Sequence, residues 1–248
     1  MRANIQVAAT EEEWIHLAVK TITNQATQAI QNRGFFSLVL SGGNTPKPVY
    51  QALASDYIQA MFDWSKWFIF WGDERCVPPN DDESNFRMAK LAFLDQTTIP
   101  QKNIHRMMGE IDPINAAQLY EEEINKFFLK KEKRFDTILL GVGNDGHTAS
   151  LFPGVNALRE KKHWVSISKH PDSGMKRITL TYPAINQSRN IIFLVKGSEK
   201  SKVIADIINN PNNDPHYPAK GITGKENPPE WIIDTAAAGK IKNIGLLI

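Results

Sequence analysis

The chain has 248 residues, 42% of them hydrophobic and 23% charged, with a formal net charge of +2. Those proportions allow one sizeable core, and so small a charge argues against nucleic acid or a membrane surface as a partner. A single cysteine, Cys76, excludes an intrachain disulfide and suits a reducing compartment. No apolar run approaches the roughly 20 residues that span a bilayer. The opening MRANIQVAATEEEW lacks the apolar stretch and cleavage site of a signal peptide. The expectation is a single domain, 1–248, cytoplasmic and monomeric.

Taken in order, Thr10 to Glu13 has the S/T-x-x-E pattern of a capping box. Behind it Trp14, Leu17, Ala18, Ile22, Ala26 and Ile30 recur at helical spacing until Gly34. Phe35 to Leu40 reads as the first interior strand. It is followed by the glycine loop SGGNT at 41–45 and a second helix. Trp67 to Trp71 is another short apolar run, leading into GDERCVPPNDDESN at 72–85. Ser84 can cap a helix carrying Met88, Leu91, Ala92 and Leu94. Residues 113–131 read as a further helix with Ile114, Ala117, Leu119, Ile124 and Phe127 as its apolar positions.

Phe135 to Leu140 then runs as a strand into GVGNDGHTASLFPG at 141–154. Beyond it, Trp164 to Ile167, Ile178 to Thr181 and Ile191 to Val195 are strand candidates, and Ser198 to Ile208 a helix. Residues 209–229, rich in Asn, Pro and Gly, read as a long loop and a candidate mobile segment. Trp231 to Ile233 and an Ala-rich segment close the chain. Strands alternating with helices predict an α/β fold, a Rossmann-like, mainly parallel sheet with helices on both faces.

Two loops can carry chemistry. In an open α/β sheet, ligands bind beyond the carboxyl ends of the strands, where both loops fall. At 41–45, Ser41, Gly42, Gly43, Asn44 and Thr45 offer backbone N–H groups and hydroxyls at a helix start, which suits a phosphate. A plain strand-to-helix turn reads equally well. At 141–154, Asp145 and His147 place a carboxylate two residues from an imidazole, and imidazole is suited to taking a proton near neutrality. Asp145, Asp73 or a backbone carbonyl could fix the ring's tautomer. A histidine that merely ties down the loop is the other reading.

Other chemistries fare worse. GVGNDG matches G-x-G-x-x-G, but Pro153 cuts short any following helix, and no acidic residue ends a next strand at the dinucleotide offset. There is no P-loop, no HExxH, no paired-cysteine spacing and no G-x-S-x-G elbow. Neither a metal nor an organic cofactor is expected. Ser150 reads as a hydroxyl satisfying backbone groups, and Cys76 as a small semi-buried side chain.

Several stretches together resemble the 6-phosphogluconolactonases, lactone hydrolases of the oxidative pentose phosphate pathway. They belong to the glucosamine-6-phosphate isomerase/6-phosphogluconolactonase family. The stretches are LSGGNTPKPVYQAL (40–53), WGDERCVPPNDDESN (71–85), GVGNDGHTASLFPG (141–154), KRITLTYPAIN (176–186), FLVKGSEK (193–200) and IIDTAAA (232–238). The resemblance implies that His147 is a general base, that Asp145 and Asp73 orient it or shape the site, and that Arg75 faces the lactone. It also implies that Arg177 and Lys200 hold the phosphate with the 41–45 loop. The substrate so implied is a small sugar-phosphate lactone. The similar glucosamine-6-phosphate deaminases place a glutamate where this chain has Phe152, and a phenyl ring cannot relay a proton. A non-catalytic sugar-phosphate sensor is the other alternative, although no separate helix-turn-helix unit is evident to serve it.

Overall fold

The computed structural model describes residues 4–209 and 216–242. In chain order the elements are β1 (Asn4–Ala8), α1 (Glu11–Arg33), β2 (Phe36–Leu40), α2 (Lys47–Leu53), α3 (Asp56–Gln59), β3 (Trp67–Trp71), β4 (Asp73–Arg75) and α4 (Asn85–Ala92). They continue with α5 (Pro113–Phe127), β5 (Thr137–Leu140), β6 (Val165–Lys169), β7 (Lys176–Leu180), α6 (Tyr182–Asn186) and β8 (Asn190–Val195). The last are α7 (Ser201–Asn209), β9 (Glu230–Asp234) and α8 (Thr235–Ala238).

The main sheet has six strands in the order β1-β9-β8-β5-β2-β3, and its neighbours are parallel throughout. Side chains alternate between two buried layers, as the period of two in a strand requires. Leu38, Leu40, Leu139, Ile192 and Leu194 pack with Trp14, Ala18 and Ile22 of α1 and with Val49 and Tyr50 of α2. Val39, Ile138, Leu140 and Phe193 pack on the other face with Tyr120 and Ile124 of α5 and Ile204 of α7. Both faces are covered, which is why these strands read as continuous apolar runs.

Thr10 caps α1 as expected, while Glu13 reaches back to the residue before the cap. Thr10 Oγ1 accepts from Glu13 N–H at 3.1 Å, and Glu13 Oε2 accepts from Ala9 N–H at 2.7 Å. Gly34, at φ 79°, ends the helix and returns its N–H to Ile30. The helix expected over 113–131 stops at Phe127, where Lys131 Nζ bends back 2.8 Å to the Phe127 carbonyl. Its buried stripe runs through Ala116, Ala117, Tyr120, Ile124 and Phe127, which leaves Ile114 and Leu119 in solvent. Leu91 of α4 is likewise exposed. The segment from Ser198 begins as one tight 3-10 turn before α7.

A second sheet, β4-β7-β6, is antiparallel, and its first strand was not evident in the sequence. DER has no apolar alternation to announce it, and pairing with β7 is what makes it a strand. Gly72 joins the sheets: its N–H donates to Leu40 O at 2.9 Å, and its carbonyl accepts from Leu180 N–H at 2.8 Å. The edge strand β1 also escaped the sequence reading. Of the stretch at 209–229, residues 210–215 lie outside the described residues. The described remainder is anchored, with Ala219 N–H donating to Gly146 O at 2.9 Å and Tyr182 Oη to Pro218 O at 2.7 Å.

Candidate active site

β2 is followed by β3 on one side of the sheet, and β5 by β8 on the other. The order therefore reverses between β2 and β5, the place where α/β sheets leave a crevice at their carboxyl ends. A cleft of about 250 Å³ lies there, lined by Ser41, Gly42, Gly43 and Thr45 after β2, and Asp73 and Arg75 after β3. Gly143, His147 and Ala149 line it after β5, and Lys196 and Lys200 after β8.

The 143–147 turn is built to lay the imidazole against the strand end. Gly143 N–H donates to His147 O at 2.9 Å, and Gly146 N–H donates to Gly143 O at 2.9 Å with φ at 77°. A Cβ on Gly143 would stand 2.1 Å from His147 Nδ1, so any other residue would push the ring away. Ala149 adopts φ 47°, the one positive value outside glycine among the described residues, and such strain concentrates at functional sites.

His147 Nδ1 lies 2.6 Å from Asp145 Oδ1, which also accepts the His147 backbone N–H at 3.1 Å. Against a carboxylate oxygen Nδ1 carries the hydrogen, so Nε2 presents its lone pair. Burial pulls the Asp145 pKa up. The hydrogen bond from His147, its charge and nearby N–H groups outweigh that and hold the carboxyl below its usual range. Phe152, buried, packs against the imidazole at a tilt of 52°, with ring centroids 4.5 Å apart.

Asp73 does a different job. Ser150 Oγ donates to its Oδ2 at 2.6 Å, and Asn85 Nδ2 donates to its carbonyl at 2.9 Å and to Oδ1 at 3.3 Å. The Ser150 hydroxyl therefore serves a carboxylate, not the backbone expected from sequence. Asp145, not Asp73, is the carboxylate on the histidine.

The basic residues divide. Lys200 Nζ is held by Asn144 Oδ1 at 2.7 Å; burial lowers its pKa, while Glu199 and Asp145 oppose this. Arg75 Nη1 donates to the Glu83 carbonyl. Arg177 faces Arg75 across the β4–β7 ladder and is buried without being on the cleft wall. Burial, and then the charge of Arg75, lower its pKa. Asn44 is also off the cleft wall, its carbonyl accepting from Lys47 N–H at 3.3 Å. Lys196 and Asn85 line the cleft and were missed from sequence, where neither carries a spacing signal. Among the described residues no cluster of three His, Cys, Asp or Glu side chains could hold a metal ion.

The family described as glucosamine-6-phosphate isomerases/6-phosphogluconolactonase matches residues 9–231. A 6-phosphogluconolactonase of Synechocystis is 41% identical over 247 residues, covering 98% of this chain and all of that one, 100%. The chain belongs to the glucosamine-6-phosphate isomerase/6-phosphogluconolactonase family.

The crystal structure of the 6-phosphogluconolactonase from Thermotoga maritima is 30% identical with a TM-score of 0.81, over 94% of this chain and 99% of that one. A monomeric glucosamine-6-phosphate deaminase matches as well in shape, at TM-score 0.81 and 20% identity, over 96% of this chain and 99% of that one. The fold is therefore common to both branches of the family, and choosing between them falls to the side chains of the cleft. No helix among the described residues is long and apolar enough to cross a membrane.

Proposed function

We propose that this protein is a 6-phosphogluconolactonase, hydrolysing 6-phospho-D-glucono-1,5-lactone to 6-phospho-D-gluconate with His147 as general base. The observation that carries the reading is the Asp145-backed imidazole on the wall of a cleft that also holds Arg75, Lys196, Lys200 and the 41–45 glycine loop. Relatives named for this activity, similar over nearly the whole chain, support it. Phe152 weighs against the deaminase alternative, because the ring beside His147 has no group that could pass a proton.

In this mechanism the phosphate is held by the 41–45 loop with Lys200, and Arg177 adds its positive charge from beside Arg75, off the cleft wall. Ser41 N–H is already bonded to the Tyr50 hydroxyl at 2.8 Å, so the loop contributes its hydroxyls and its later N–H groups. The lactone carbonyl then lies beside His147 and Arg75. Nε2 takes a proton from water as its oxygen attacks C1, and Arg75 stabilises the oxyanion. Collapse breaks the bond from C1 to the ring oxygen, which takes the proton back from His147. The new carboxylic acid ionises to water. A lactone is an activated ester, so no covalent nucleophile is required, and the steps call on neither metal nor organic cofactor.

His147→Ala tests this. In an assay on fresh lactone, corrected for spontaneous hydrolysis, kcat should fall by about 10²- to 10⁴-fold. Calorimetric binding of 6-phosphogluconate should survive. Unchanged turnover would remove His147 from the mechanism.

A further inference from the structure

The DDESN end of the 71–85 segment has no part in the mechanism above, yet it holds a buried polar side chain on the cleft wall. Asn85 is 2% exposed and lines the cleft between the 41–45 loop and Asp73. It is the first residue of α4, and the start of that helix is immobilised by a buried carboxylate. Glu74, itself 2% exposed, accepts from the backbone N–H groups of Arg75, Asn85 and Phe86 at 2.7, 2.8 and 2.8 Å, and from Ser84 Oγ at 3.1 Å. A carboxylate at a helix N-terminus satisfies N–H groups that have no partner within the helix.

With its backbone fixed, the Asn85 amide spans two loops that come from different strands. Its nitrogen donates to the Asp73 carbonyl and carboxylate. The same amide group is the wall against which Gly42 lies: a Cβ on Gly42 would stand 2.0 Å from Asn85 Oδ1, 2.2 Å from its Cγ and 2.4 Å from its Nδ2. The φ of Gly42 is not among the positive ones, so what excludes a side chain there is the asparagine and not the backbone conformation. Asp73 is in turn bonded to Ser150, three residues past His147. The line Gly42–Asn85–Asp73–Ser150, with Glu74 anchoring the Asn85 backbone, thus joins the loop after β2 to the loop after β5.

We propose that Asn85 is a positioning residue, which sets the height of the phosphate-binding loop at Gly42 relative to Asp73 and the histidine loop. The proposal rests on the lactonase reading for its kinetics and on geometry alone for its coupling to Gly42. Truncating Asn85 should let the 41–45 loop drift and weaken the hold on phosphate, with less effect on the proton transfer at His147.

The test is a double-mutant cycle with Gly42→Ala, Asn85→Ala and the pair, read as KM and kcat for the lactone and as Kd for 6-phosphogluconate by calorimetry. Asn85→Ala should raise KM and Kd about fivefold or more, with kcat within about threefold. Gly42→Ala should raise both further. The double variant should recover at least threefold of what Gly42→Ala loses, because the truncated residue leaves room for the new methyl. A merely structural asparagine would lower Tm without such recovery. Additive losses in the double variant, or unchanged KM and Kd in Asn85→Ala, would overturn the proposal. Should Asn85→Ala not fold, Asn85→Ser, whose hydroxyl can rotate away from Gly42, must show the same recovery. If the wild-type protein binds 6-phosphogluconate but does not hydrolyse the lactone, the lactonase reading fails on its own and the Kd cycle still decides the role of Asn85.

Discussion

His147 is hydrogen-bonded to a carboxylate through Nδ1 and packed against a tilted phenyl ring. The first fixes its tautomer and the second leaves it without a proton-passing neighbour. Asp145→Asn keeps the shape but can turn an N–H toward Nδ1, which leaves Nε2 protonated. Turnover should fall about 100-fold or more, with KM little changed. The same substitution has a stability signature. A carboxyl whose folded pKa is depressed, as at Asp145, contributes stability that is fully present above its unfolded value, about 3.9. That contribution is lost as pH falls through the folded value. The difference in urea stability between wild type and Asp145→Asn should therefore hold down to about pH 4 and narrow below it; a gap constant with pH would contradict the assignment. Arg177 needs its own measurement, because it stands beside Arg75 and off the cleft wall. If it holds phosphate, Arg177→Ala should raise KM about tenfold or more, one charge-assisted hydrogen bond's worth. An unchanged KM would confine it to supporting Arg75.

Among the elements, β9 and α8 act on the site from a distance. Asp234 accepts from Gly197 N–H at 3.1 Å and from Ala237 N–H at 2.7 Å. One side chain thus caps α8 and ties down the loop that carries Lys196 and Lys200. Asp234→Ala should cost about 1 kcal/mol as a lost cap and raise KM through the freed loop. A thermal melt and a substrate titration check the two effects separately, and a normal KM would break the link to Lys200. This role was not legible in the sequence. In the sequence IIDTAAA carries only the family resemblance, and nothing in it indicates which loop lies opposite.

At the scale of the molecule, the end of the sheet away from the cleft is closed by charge. The buried Asp136 receives Arg33 Nη2 at 2.6 Å and the N–H and hydroxyl of Ser37 at 2.8 and 2.9 Å, binding β2 to β5. Asp136→Ala should destabilise the fold by on the order of 3 kcal/mol, since it strands partners of a buried charge. KM should stay as in wild type, because the site lies at the opposite strand ends. Equilibrium denaturation and a KM measurement together decide this.

The sequence alone determined the local structure and the inventory of reactive groups. Apolar runs bounded by glycine, and caps at Thr10 and Ser84, are written in neighbouring residues and depend on nothing distant. Asp145 and His147 are likewise visible two residues apart, although the sequence left Asp145, Asp73 and a backbone carbonyl open as partners for the ring. Tertiary structure decided what depends on residues far apart in the chain. It made DER a strand by pairing it with β7, it gave Asp73 to Ser150 and Asn85 and not to the histidine, and it set Arg177 against Arg75. Such contacts are fixed by which strands end side by side, and the order β8-β5-β2-β3 that assembles the cleft cannot be read from any one segment.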